Sequence, residues 1–216
     1  MTHEIVLLDG CKGFAPGQAL YSVLDHMAGI VGTIHSDKTA GQVDMEGYNV
    51  ARTLIGQSFN SQRGQVEMEA LIGNIVKHPF IQGCGNDAKV IMLIPEDLYA
   101  HNEGRPTNWV HGGHFHHNGR DIVVISTHRF YNAGVFDPIH FKYVMTHELG
   151  HMYGATPKDR KNTYELLGVH CSNDCIMQQS REGDGAKRRA HELHKNNTTF
   201  CHDCRTEMAR LHRRPR

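Results

Sequence analysis

Apolar residues fall along this chain in two rhythms, short unbroken runs and longer stretches with helical spacing. Runs at residues 5–8, 90–94 and 121–126, the last containing Ile122, Val123, Val124 and Ile125, predict strands. Residues 17–27 carry apolar positions at helical spacing. Val66, Met68, Leu71, Ile72, Ile75 and Val76 predict an amphipathic helix over residues 65–77. Residues 141–152 form another helix in this reading, with Pro138 just ahead of it, as helix starts allow. Residues 48–59 fit either a helix or an exposed connection. The order is mixed α and β, with no internal repeat or low-complexity tract.

The helix over 141–152 carries the chemistry. It contains His147, Glu148 and His151, an HExxH pattern. The two histidines stand four positions apart, so both imidazoles leave one helical face and can grip one metal ion. Glu148 follows the first of them and can hold a proton beside a metal-bound water. Three protein ligands plus water is the usual catalytic zinc arrangement, so a third donor is needed. The position six residues after His151 is Pro157, which has no donor atom. Asp159, Glu165 and His170 are the alternatives.

Downstream stand Cys171 and Cys175, then Cys201 and Cys204 as a CxxC. Two close pairs separated by about 25 residues suit a closed, tetrahedral, structural four-cysteine zinc site. The alternatives are unrelated thiols or disulfides. Thioredoxin-like redox chemistry lacks a βαβ context here.

The sequence resembles the archaemetzincin family of zinc peptidases, whose signature runs from HExxHxxG into a His-Cys pair and a Cys-x-Met and closes with a CxxC. The matching residues are His147, Glu148, His151 and Gly154, then His170, Cys171, Cys175 and Met177, then Cys201 and Cys204. Residues 95–99 and 123–129 also look like family segments, so the resemblance spans roughly residues 50–205. It implies a compact α+β zincin-like single domain over 1–216, with a mixed sheet, an active-site helix, a C-terminal zinc-knuckle part over about 168–205 and a basic tail over 206–216. It favours His170 as third ligand, because His170 directly precedes Cys171 as the family's third histidine precedes its first cysteine. Residues 155–167 are then an insertion, expected as an exposed loop near the cleft. The resemblance assigns the four cysteines to structural zinc, makes Met177 an apolar floor beneath the catalytic metal, and places the strand ending at Ser126 at the sheet edge that receives an extended peptide. Its cofactors are two zinc ions.

The chain has 216 residues, enough for one domain with a sizeable core. Its first residues lack a basic n-region and a long apolar run, and no stretch is long enough to cross a membrane. Four cysteines have metal spacing, and Cys11 and Cys84 are left over; this usage fits a reducing, cytoplasmic setting. Formal net charge is zero, which argues against a nucleic-acid partner for the chain as a whole. Nine Lys and Arg against three Asp and Glu after residue 186 read as a solvated basic terminus. Among 18 histidines, His111, His114, His116 and His117 cluster around Gly112 and Gly113. They read as a polar loop between strands, with an auxiliary metal site or substrate contact as the sharper alternative.

The expected activity is peptide hydrolysis by a zinc-activated water, with Glu148 as general base and a peptide or protein as substrate. Tyr153, Tyr164 and His128 are the alternatives for an oxyanion partner. A catalytically silent zinc-binding protein, or a nucleic-acid binder using the knuckle and basic tail, is the other reading. The substrate sequence, internal or terminal cleavage and the oligomeric state are not written in the chain.

Overall fold

The computed structural model describes residues 3–11, 14–32, 34–35, 45–85, 87–102, 104–166, 168–180 and 183–212. Its centre is a five-stranded sheet built on the predicted apolar runs. The strands are β1 (His3–Asp9), β2 (Ile34–His35), β3 (Lys89–Ile94), β4 (Gly112–His117) and β5 (Arg120–Ser126), in the order β2-β1-β3-β5-β4. All neighbours pair in parallel except β4, which runs antiparallel to β5 at one edge.

Runs without polar interruption suit strands covered on both faces. On one face Val6, Leu8, Val90, Met92, Ile94, Ile122 and Val124 pack against α2 (Met45–Ser58) and α3 (Met68–Lys77). On the other, Ile5, Ile91, Leu93, Val123 and Ile125 meet α1 (Phe14–Val31) and α4 (Pro138–Met152). The second core continues into the C-terminal part. Cys171, Cys175, Met177, Phe200, Cys204 and Met208 belong to it, with Ala190 and Leu193 of α5 (Gly183–Lys195). This is one mixed α and β unit with a C-terminal four-cysteine cluster.

Several sequence expectations change. Residues 48–59 are helical up to Ser58, because Val50, Ala51, Leu54 and Ile55 are buried against the sheet. The segment 65–77 opens as a short strand, Gln65–Glu67, before α3 begins. Pro138 is the first residue of α4, with Asp137 as N-cap accepting from the His140 N–H at 3.0 Å. The strand ending at Ser126 is not the sheet edge. It lies between β3 and β4 with Ile122 to Ile125 fully buried, and the open edge belongs to β4. Residues 112–117 are therefore strand and not loop. The glycines permit this, since a Cβ on Gly112 would collide with Val124 O and stand 2.6 Å from Ile125 Cδ1. The basic C-terminal stretch is largely α5 and α6 (His202–His212); residues 213–216 lie outside the described residues, as does Leu167 of the expected insertion.

Candidate metal centre

α4 ends in a turn at Gly154, whose φ of +76° favours glycine. His147 and His151 leave the last turns of α4. His170 comes from β7 (Val169–Cys171), which pairs antiparallel with β6 (Thr163–Glu165). The His151 Nε2 lies 3.1 Å from His147 Nε2 and 3.3 Å from His170 Nε2.

Hydrogen-bond partners fix the protonation of these rings. His147 Nδ1 donates to the Ile176 carbonyl at 2.7 Å, and His170 Nδ1 donates to the Gly168 carbonyl at 3.0 Å. The Thr156 hydroxyl gives its proton to Val169 O at 2.7 Å, so its 3.3 Å contact with His151 Nδ1 requires that nitrogen to be the donor. In neutral imidazoles all three protons are thus on Nδ1, and all three Nε2 atoms turn lone pairs toward one point. Burial pushes the His147 imidazole down to about 4 and those of His151 and His170 below their ordinary value, so neutral rings are favoured. Three facing lone pairs repel unless a cation sits among them. Ligand atoms at roughly 2.0–2.1 Å from one zinc ion in a tetrahedron stand about 3.3 Å apart, and the observed spacings fit that group. Met177 lies under the same helix, where a Cβ on Gly150 would collide with Met177 Sδ.

Glu148 lines the cleft in front of these rings. The cleft encloses about 800 Å³ between α4, the β4 edge and the chain around Gly168. Burial pushes the Glu148 carboxyl up to about 7, while a hydrogen bond from the His114 backbone N–H pulls it down. A cation at the histidines would lower it further.

The four cysteines also converge. Cys171 and Cys201 Sγ are 3.8 Å apart, as are Cys175 and Cys204 Sγ. Disulfide sulfurs sit at about 2.05 Å, whereas thiolates about 2.3 Å from one zinc ion in a tetrahedron are about 3.8 Å apart. Donors surround the sulfurs: Asn173 N–H reaches Cys171 Sγ at 3.4 Å, Asn173 Nδ2 reaches Cys201 Sγ at 3.5 Å, and Arg160 Nη1 reaches Cys204 Sγ at 3.3 Å.

The segment expected as an exposed insertion proves to be a strut between the two clusters. Thr156 is buried against His151, Arg160 reaches Cys204, and Asn162 donates to Asp203 at 2.6 Å. Its exposed residues are Lys158, Asp159, Lys161 and Glu165. Of the other ligand alternatives, Asp159 and Glu165 are exposed and outside the histidine group. Of the oxyanion alternatives, Tyr153 is buried, His128 is exposed, and Tyr164 bonds to Gln179 N at 2.9 Å; none lines the cleft. His111 and His114 do line it. Thr156 and His114 lack any motif; only the alternation of His114 and His116 hinted at a strand.

No protein-family model matches the sequence, and a search of curated proteins finds no match. Solved structures do match. Archaemetzincin from Methanopyrus kandleri is 20% identical, with a TM-score of 0.61 over 99% of this chain and 96% of that one. A zinc-dependent peptidase from Methanocorpusculum labreanum is 19% identical, with a TM-score of 0.54 over 96% and 100%. Archaemetzincin from Archaeoglobus fulgidus, solved with malonate, is 18% identical with a TM-score of 0.51 over 96% and 99%. Across nearly its whole length, this chain has the fold of the archaemetzincins.

Proposed function

We propose that this chain is a zinc-dependent peptidase, with His147, His151 and His170 as catalytic zinc ligands and Cys171, Cys175, Cys201 and Cys204 holding a second, structural zinc. The convergence of three Nε2 lone pairs within 3.3 Å contacts carries the reading, since only a cation makes that arrangement favourable. A zinc ion there supplies a Lewis acid for a peptide carbonyl and acidifies a water.

The chain's own residues do the rest. Glu148, fixed by the His114 N–H, takes the proton of the attacking water and passes it to the leaving amine. The open edge of β4 receives the substrate as an added extended strand, in place of the buried β5. Substrates are peptides or proteins. We further place the protein in the cytoplasm, where reduced thiols remain available to zinc; no helix among the described residues is long and apolar enough to cross a membrane. The single domain spans 1–216, with the cysteine-bearing part about 168–205.

Glu148→Gln tests this. The variant should keep both zinc ions and lose about 10²–10⁴-fold in casein hydrolysis. Equal activity would remove Glu148 from the mechanism, and a zinc-loaded wild type that cleaves nothing would favour the silent zinc-binding reading.

A further inference from the structure

The cleft needs a donor for the oxygen of the tetrahedral carbon; Tyr153 and Tyr164 do not line it, and Tyr143, which does, gives its hydroxyl proton to Gln178 O at 3.2 Å. β4 pairs with β5 so that His114 stands opposite Val123, and His116 stands opposite Asp121. Directly opposed residues share a sheet face, and alternate residues return to it. Val123 packs in the core with Val144, Met145 and Leu149 of α4, so His114, His116 and Asp121 lie on the active-site-helix face. The His114 N–H holds Glu148, which seats this residue beside the proposed base.

Its ring is anchored from behind. Nε2 lies 3.1 Å from Asp121 Oδ1, and no partner for Nδ1 is present among the described residues. Asp121 is itself fixed by Lys89 Nζ at 2.5 Å and by His116 Nδ1 at 3.0 Å. Because Nε2 faces the Asp121 carboxylate, donation from Nδ1 uses the imidazolium form, with Asp121 as its counter-charge. The side chain is partly exposed, 18%, as a group that must meet substrate has to be.

We propose that His114, positioned by Asp121, is a further catalytic residue that donates an Nδ1 hydrogen bond to the developing oxyanion of the scissile carbonyl. The role rests on the peptidase reading. It requires a pre-aimed donor in the cleft wall, which costs little reorganisation when charge develops.

The test compares His114→Leu, His114→Gln and His128→Leu with wild type, all zinc-loaded. The probes are fluorescein-casein, a phosphinic pseudopeptide with a tetrahedral phosphorus, and the planar chelator acetohydroxamate. His114→Leu should lower kcat by about 10²–10³-fold with KM nearly unchanged, and weaken phosphinic binding by a similar factor. Zinc content and acetohydroxamate binding should stay at wild-type values, because the backbone N–H to Glu148 survives. His114→Gln should recover part of the loss, and His128→Leu, at an exposed position outside the cleft, should behave as wild type. Wild-type phosphinic affinity and kcat in His114→Leu would overturn the assignment, as would parallel loss of zinc and both inhibitors. A wild type that holds zinc yet binds no phosphinic probe and cleaves no casein would instead bring down the peptidase reading itself.

Discussion

The Nδ1 of His147 lies 2.7 Å from the carbonyl oxygen of Ile176, so the first proposed zinc ligand is oriented by the residue between Cys175 and Met177. The two candidate metal clusters therefore share one short piece of backbone. His170 next to Cys171 is a second such link. Removing a ligand from either cluster should not be symmetrical in effect. His170→Ala should lower bound zinc from two ions to one, leaving the cysteine site filled. Cys175→Ser should release the cysteine metal and also free the Ile176 carbonyl, so stoichiometry should fall below one. Elemental analysis after gel filtration decides it; a Cys175→Ser protein that keeps one full equivalent would show the sites to be independent.

Thr156 is the acceptor that fixes the tautomer of His151 while its own proton goes to Val169 O at 2.7 Å. Groups that orient a ligating histidine are worth about 10–100-fold in metal affinity. Thr156→Val keeps the shape and removes both bonds, so zinc affinity at the histidine site should drop in that range. Thr156→Ser should restore it. Competition with a chromophoric chelator reads the constant, and an unchanged value in Thr156→Val would exclude the role.

Gly150 sits inside α4, where alanine is ordinarily better than glycine by about 1 kcal/mol. Here the packing term has the opposite sign. A Cβ would collide with Met177 Sδ and stand 2.8 Å from Phe200 Cε1, both in the core. Overpacking of this kind costs about 1–3 kcal/mol, so Gly150→Ala should lower the denaturation midpoint. A midpoint at or above wild type would mean that Met177 yields without cost.

His111 and His140 form a pair with ring centroids 4.7 Å apart, and both buried nitrogens of His111 and Nε2 of His140 lack a hydrogen-bond partner among the described residues. Burial pushes their imidazoles down, His111 to about 3 and His140 to about 4, from an ordinary 6.5. Between about 6.5 and 4 the unfolded chain binds protons that the folded protein refuses, so this pair's contribution is full above pH 7 and is lost as pH falls through that window. Thermal unfolding of wild type and His140→Gln across pH 7.5–4.5 measures it. The variant's stability should fall less steeply, by up to one proton's slope, about 1.4 kcal/mol per pH unit. Identical slopes would mean that His140 is charged in the folded state.

The sequence alone determined the elements whose cause is local. The runs in β3 and β5 are apolar without interruption because both faces are covered, and the helical spacing at His147 and His151 puts two imidazoles on one face whatever surrounds them. The cysteine pairs were legible because two donors separated by a few residues meet at one metal without help from the fold. What required tertiary structure was everything fixed by pairing between distant segments. Periodicity could not tell that β5 is interior and β4 is the open edge, since strand order depends on which neighbour supplies hydrogen bonds. Histidines and glycines at 111–117 look like a loop because a strand's usual apolar face is missing, and here that face meets the cleft. His170 needed the β6–β7 pairing to reach His151, and Thr156, Arg160 and His114 gained their partners only when the chain folded back. Spacing along a chain specifies donors within a turn of helix or a knuckle; the groups that orient them come from far away in sequence, and only the packed fold brings them into contact.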